Sequence, residues 1–461
     1  MPLLDAYVLP HPPIAIPAIG RGEEKKMHTT LNAFEVVARR IAKLKPDVVV
    51  IVSPHATAYA DYFHIAHNKP TEGTFAPFGA PHVRVPITLN DAMAQHIEEA
   101  YQRANIAGGM LESRPGEVDH GTLVPLYFIE QHYPGVEVVL LSVSGMSLID
   151  HYEAGCAIGN ALREAPQRVV FVASGDLSHR LKADGPYGFD PAGPRFDAYV
   201  INALRAGDFA ALLTVDSGLA HRAGECGLKS MVMVSGVCDG RAVDTEVLSY
   251  EGPFGVGYAV ASITPRGPDD HRCFGDRVRD AEKKRLAARE RRASTPVMLA
   301  KAAIEAHVLQ RQPRDVLRRQ IPAYLRKPAP AFVTLRLFGA LRGCVGTTSP
   351  STPSLAEEVA RNAVAAATRD ARFPSVREDE LPWLEIKVDV LVGFTSVQST
   401  DSLDPKHDGI IVTAGKRCGV LLPDIEGIDT TEQQMAVARK KAGIKDGESV
   451  KLTRFSVKRY T

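Results

Sequence analysis

The chain has 461 residues, 45% hydrophobic content and a formal net charge of +1. That length exceeds one ordinary domain and predicts two or three, each able to bury a core. The near-neutral balance supplies no global field to draw in nucleic acid or a membrane, no basic-then-apolar leader opens the sequence, and no apolar run is long enough to span a bilayer. The six cysteines (Cys156, Cys226, Cys238, Cys273, Cys344, Cys418) are scattered with no CxxC pair, which argues for free thiols in a reducing cytoplasm and against a structural zinc site.

In chain order, Ala6–Pro10 reads as a first strand that delivers His11, and Pro12-Pro13 stops it. Thr29–Leu44 has helical spacing of Leu31, Phe34, Val37, Ile41 and Leu44. Val48–Val52 is a continuous β-branched run, as in a parallel strand buried on both faces, and it ends at Ser53-Pro54-His55. The stretch Tyr62–Pro86 is loop-rich, and its His64, His67 and His82 read as surface or loop residues rather than ligands. A helix is expected over Asp91–Ala104. Asp119-His120-Gly121 then opens an apolar, helical stretch, where Asp119 has the chemistry of an N-cap.

Val136–Val143 predicts another buried strand and His151–Arg163 the helix after it. The run Arg168–Ala173 is a third buried strand. It opens onto Ser174-Gly175-Asp176-Leu177-Ser178-His179, where an acid and a histidine stand three residues apart at a strand mouth. Asp197–Leu213 is helical in pattern. Ala223-Gly224-Glu225-Cys226-Gly227 is a small-residue turn leading into the helix Met231–Val237, and Glu225 there would complement the helix dipole. Thr245–Tyr250 and Gly257–Ile263 form a last pair of strands. Strands and helices alternate over residues 1–264, so the expected class is α/β, with a central, mostly parallel sheet flanked by helices.

Residues 265–295 are highly charged and read as a linker, with a solvated helix over Arg279–Arg292; its basic run argues only weakly for nucleic acid. A second unit, 296–461, begins with the apolar-faced helix Pro296–Leu309. Ala331–Leu337 alternates as a half-buried strand and Leu341–Gly346 returns beside it. Leu355–Thr368 and Thr431–Ala442 are helices. Glu385–Leu391, Gly409–Ala414, Gly419–Leu422 and Arg454–Val457 are strands, and the mixed order predicts a smaller α+β domain.

His11, His55, His120 and His179 all lie at strand ends or in the loops beyond them, with Glu225 on a later loop. Two histidines and a carboxylate with open positions are the facial triad of non-heme Fe(II) oxygenases, and carboxyl ends of parallel strands are where α/β proteins bind ligands. Whether these distant segments converge cannot be read from periodicity.

The motifs, taken in order, carry a resemblance. Leu9-Pro10-His11-Pro12-Pro13, Ser53-Pro54-His55, Asp119-His120-Gly121-Thr122-Leu123-Val124-Pro125-Leu126, Gly175-Asp176-Leu177-Ser178-His179 and Gly224-Glu225-Cys226-Gly227 resemble those of the class III extradiol dioxygenases. This is the superfamily of the protocatechuate 4,5-dioxygenase β-subunit, whose fold the Memo-type proteins share. The resemblance implies Fe(II) held by His11, His55 and Glu225, with dioxygen and a small aromatic substrate such as a catechol. It implies His179 as the base that deprotonates the catechol, His120 near substrate and dioxygen, and Asp176 as an orienting group. In Memo-type proteins a cysteine occupies the third-ligand region, so Cys226 is the alternative ligand. Glu225 is preferred because a hard carboxylate suits Fe(II) dioxygen chemistry and a thiolate suits softer metals.

The second unit resembles the AMMECR-type domain through Leu341-Arg342-Gly343-Cys344-Val345-Gly346, Asp370-Ala371-Arg372-Phe373-Pro374 and Leu381-Pro382-Trp383-Leu384-Glu385-Ile386. Cys344 is either a reactive thiol or, preferably, a packed strand cysteine, and Arg342 and Glu385 either a site or a salt bridge. The fusion resembles a bacterial and archaeal system that includes a radical-SAM protein, an implied partner. Self-association stays open, as does a metal-binding or redox role without ring cleavage.

Overall fold

The computed structural model describes residues 2–67, 72–111, 118–311, 321–400, 402–415, 417–425, 428–445 and 447–461. The chain divides into two compact units, Met1–Asp280 and Ala281–Thr461.

In the first unit every residue of Val48–Ser53 and Val169–Ser174 is buried, as continuous β-branched runs require when helices cover both faces of a sheet. The seven strands lie in the order Arg241–Glu251, Tyr258–Pro268, Leu3–Leu9, Val169–Ser174, Val48–Ser53, Glu137–Ser142, Thr88–Leu89. The first two neighbouring pairs are antiparallel and the other four parallel. One face (Tyr7, Leu9, Val49, Ile51, Val170, Val172) packs on the helices His28–Leu44 and His120–Glu130, where Phe34 and Phe128 stack 4.3 Å apart. The helices Leu148–Glu164 and Leu228–Val237 cover the strands from the other side. These two helices touch through glycines: a Cβ at Gly155 or Gly236 would collide with the facing backbone.

The α/β expectation holds, with differences at element ends. Asp197–Leu213 is two helices, Ala192–Ala206 and Phe209–Leu213, because Gly207 takes a left-handed φ of 61° and closes the first. His64 is buried in a short strand rather than placed on the surface. Residues 68–71 of the expected loop lie outside the described residues. Within 265–295, the last strand runs on to Pro268 and a helix spans Phe274–Glu290, with Phe274 buried and the Arg272 and Arg277 guanidinium groups over its ring. Among the described residues no helix is long and apolar enough to cross a membrane.

The second unit is α+β. Its antiparallel sheet runs Ala340–Gly346, Ala331–Leu337, Leu384–Val397, Lys451–Tyr460, Gly409–Ala414, Arg417–Leu421. Ala331–Leu337 alternates between buried and half-buried positions, and its buried side meets the helices Thr295–Val308 and Leu355–Thr368.

Candidate metal centre

Three parallel strands deliver the site in register. Leu9 pairs with Ser174 and Val52 with Ala173, so their carboxyl ends stop at one level. His11, His55 and Asp176 each sit two residues beyond such an end, at Leu9, Ser53 and Ser174. The prolines beside His11 and His55 stop the strands there.

His11 is 1% exposed. Its Nδ1 lies 2.9 Å from Ser174 Oγ, and the Ser174 hydroxyl donates to the Gly121 carbonyl. A hydroxyl has one proton, so Ser174 accepts from Nδ1–H, and Nε2 keeps a free lone pair. That nitrogen faces Cys226 Sγ at 3.5 Å and Asp176 Oδ2 at 3.9 Å, while Asp176 Oδ1 accepts from the His11 backbone N–H at 2.8 Å.

Asp119 caps the His120 helix by accepting from Thr122 N at 3.1 Å, and it also accepts from Ser53 Oγ at 2.5 Å. The end of one strand is thereby tied to the start of the helix. The His55 and His120 rings stack with centroids 4.4 Å apart, and His11 meets them edge-on at 4.8 and 5.3 Å. His179 arrives on a loop stitched to its neighbours. Its N–H donates to the Ala223 carbonyl at 3.0 Å, and Ser178 N–H donates to buried Asp197 at 2.8 Å. His179 Nε2 is buried with no hydrogen-bond partner among the described residues.

Burial is the leading cause that lowers the pKa of all four imidazoles. His11 falls well below the ordinary value, pushed further by its three histidine neighbours, and His120 falls to about 4. The rings are neutral at pH 7, the state in which imidazole binds metal. Burial pushes Asp176 up to about 7 against the opposing His11 N–H, and it holds the Cys226 thiol well above its usual value with the Asp176 charge adding to it.

Ligand atoms of His11, His55 and Cys226 lie within 4.8 Å of one another. Nitrogen and sulfur donors at about 2.0 and 2.3 Å from a shared tetrahedral ion stand about 3.5 Å apart, so the donor set fits a metal ion. Glu225, the expected third ligand, stands outside this group, and Cys226, the alternative, stands within it. The Glu225 carboxylate accepts from Leu228 N at 2.7 Å at the start of the Leu228–Val237 helix, beside Lys229, which itself donates to the Ser144 carbonyl at 2.5 Å. Adjacent side chains leave the turn in different directions, so with Cys226 aimed at His11 the acid points away. Gly227 makes this possible: its N–H donates to the Asp176 carbonyl at 3.0 Å, an approach a Cβ on Gly175 or Gly227 would block.

The motifs did not disclose the hydrogen bonds made by Ser174 and Ser53. In the sequence Ser174 stood as the first residue beyond a strand, whereas the strand runs through it, and its use depends on the distant Gly121.

In the second unit, Arg342 and Glu385 each form salt bridges, but with other partners and not with each other. Arg342 is 8% exposed and binds Glu380 at 2.7 and 2.9 Å, together with the Pro374 carbonyl at 2.8 Å. Glu385 takes Arg285 and Arg289 at 2.5 and 2.9 Å. Cys344 is a packed strand cysteine: Sγ lies 3.3 Å from Thr334 Oγ1, its N–H donates to Asp370 at 2.8 Å, and burial raises its thiol pKa.

Residues 5–261 match the family model described as the catalytic LigB subunit of aromatic ring-opening dioxygenase. The chain belongs to that family. Residues 297–460 of this LigB-family chain match AMMECR1. A protein of Clostridium acetobutylicum is 37% identical over 473 residues, covering 100% of this chain and 99% of its own length. A Thermotoga maritima protein is 50% identical over 137 residues, 29% of this chain and 79% of that one. Among solved structures, an uncharacterized protein from Escherichia coli K12 aligns over 56% of this chain and 99% of its own, at 17% identity and TM-score 0.39. One from Pyrococcus horikoshii aligns over 36% and 88%, at 29% identity and TM-score 0.33.

Proposed function

We propose that the LigB-type unit is a mononuclear metal oxidoreductase that opens a small aromatic diol with dioxygen, with residues 1–264 as the catalytic part and 296–461 as an accessory domain. The observation that supports this reading is the convergence of His11, His55, His120 and His179, all neutral, at the mouth of three parallel strands. His11, His55 and Cys226 would hold the metal, with Fe(II) the ion that suits the family's chemistry. When bound, it supplies a Lewis acid that takes both diol oxygens and lets electrons pass from the ring to dioxygen.

The chain's own groups do the rest. Ser174 fixes the His11 tautomer, and Asp176 holds the His11 backbone. His179 Nε2, neutral and unengaged, takes a proton from a substrate hydroxyl. His120, stacked on His55, faces the same space. The ring bond beside the diol breaks, and both oxygen atoms of dioxygen enter the product.

The thiol supports a second reading, a Memo-like metal or redox protein, or a component of a radical-SAM-associated modification system, that performs no ring cleavage. A soft donor favours softer metals. Anaerobic reconstitution with Fe(II), then oxygen uptake with a panel of catechols, separates the two. Ring cleavage requires uptake with at least one diol and its loss in His11→Ala. Metal binding without uptake on any diol favours the second reading.

A further inference from the structure

Two exposed aromatic rings stand on functional histidines. Phe78, 39% exposed, closes the short turn Ala76–Phe78 before Gly79, and its ring lies 5.3 Å from His120 at 67°. Tyr187, 60% exposed, tips the Gly185-Pro186-Tyr187-Gly188 turn, and its ring lies 5.1 Å from His179 at 30°. The two rings come from segments more than a hundred residues apart in sequence. His55 is a neighbour that both His120 and His179 feel electrostatically.

The Tyr187 turn is anchored below its tip. Leu181 N–H donates to the Gly255 carbonyl at 3.0 Å, and Lys182 Nζ donates to the Pro253 carbonyl at 2.7 Å. Gly188, at φ 72°, lets the tip fold back while the phenol ring stays in solvent. The imidazole it meets carries Nε2, which is buried and without a hydrogen-bond partner among the described residues. A single exposed aromatic residue means little. Here both rings touch imidazoles of one group, one of which holds an unsatisfied nitrogen.

We infer that Phe78 and Tyr187 are specificity-determining residues, whose rings take the apolar surface of a flat aromatic ligand and discriminate against ligands with the same donor atoms but no ring. The inference rests on the reading of the histidine group as a metal centre that binds ligand. It does not require ring cleavage. Aromatic rings attract at centroid separations of about 4.5–7 Å, a gain beyond the area they bury. A ligand hydroxyl at the edge of the Tyr187–His179 pair, within reach of His179 Nε2, would also satisfy that nitrogen.

The test uses the full chain loaded with Co(II) and two chelating probes, benzohydroxamate and acetohydroxamate, which offer the same two oxygens with and without a ring. Binding is followed by the change in Co(II) absorption, and Co(II) content by metal analysis. The expected result is tighter binding of benzohydroxamate by the unaltered chain. Phe78→Ala and Tyr187→Ala should each weaken it about tenfold while acetohydroxamate changes less than about twofold. Tyr187→Phe, which keeps the ring, should restore the preference. Equal losses for both probes, or no loss for either, with Co(II) content unchanged, overturn the assignment of the two rings and leave the metal centre standing. If the unaltered chain takes up no Co(II), the metal centre itself is overturned and the inference falls with it.

Discussion

Cys226 Sγ lies 3.5 Å from His11 Nε2, the nitrogen that Ser174 leaves unprotonated. The two residues come from opposite ends of the first unit, and their contact depends on an outer hydroxyl that fixes a tautomer. Removing that hydroxyl tests the arrangement. In Ser174→Ala, His11 Nδ1–H loses its acceptor and either nitrogen can carry the proton. Outer partners of this kind are worth about 10–100-fold in metal affinity, and a loss of that size is expected. Equilibrium dialysis against Co(II) measures it, and an unchanged affinity would show that Ser174 does not set the tautomer.

Adjacent residues give a sharper contrast. Cys226→Ser should lose most metal, because an alcohol does not ionise to replace a thiolate at neutral pH. Glu225→Gln should keep the metal and lose stability, since the buried acid accepts from Leu228 N and faces Lys229. Burial holds the Glu225 carboxyl up at about 7, so the neutral amide should cost less than removal of the side chain would. Metal content and denaturant midpoints of both variants decide the matter. The reverse pattern would return the ligand role to Glu225.

These two residues also mark how far the chain can be read without coordinates. The β-branched runs at Val48 and Val169 announce buried parallel strands, and Asp119 before an apolar stretch announces a helix start, because both signals are local. The histidine-bearing strand ends were legible for the same reason. The choice between Glu225 and Cys226 was not. Donor hardness favoured the acid, but direction is set by the turn and by Gly227 lying against Gly175, a long-range contact with no periodicity. The partners of Arg342 and Glu385 were hidden in the same way: each has an obvious charge, but it is Glu380 and the arginines at 285 and 289 that claim them.

Asp119 links stability to the site. It caps the His120 helix and holds Ser53, whose Oγ also accepts from His55 N–H at 3.2 Å. Asp119→Ala should cost about 1 kcal/mol for the lost cap, and metal affinity should fall as the His55–His120 stack loosens. Asp119→Asn should retain the cap. Urea unfolding and metal titration of the pair separate the two effects. Loss of stability with full metal affinity would confine Asp119 to a capping role.

Acid sensitivity should appear in the AMMECR1 unit, at Glu358. This buried carboxylate accepts from Thr347 Oγ1 at 2.6 Å, Ser351 N at 3.0 Å, Thr352 Oγ1 at 2.8 Å and Arg361 at 2.9 Å. Burial opposes its charge, but the donors prevail and bring its pKa down to about 2 from 4.5. A depressed folded-state pKa gives a contribution that is fully present above the unfolded value and is lost as pH falls through the folded one. The window is therefore about pH 4.5 down to about pH 2, and the contribution is at most about 3.4 kcal/mol. Glu358→Gln offers one acceptor oxygen to these donors and turns an amide toward the rest, so it should be less stable at pH 7. Its thermal midpoint should also fall less steeply than that of the unaltered chain between pH 5 and pH 2. Parallel pH profiles of the two midpoints would show that Glu358 does not carry the acid transition.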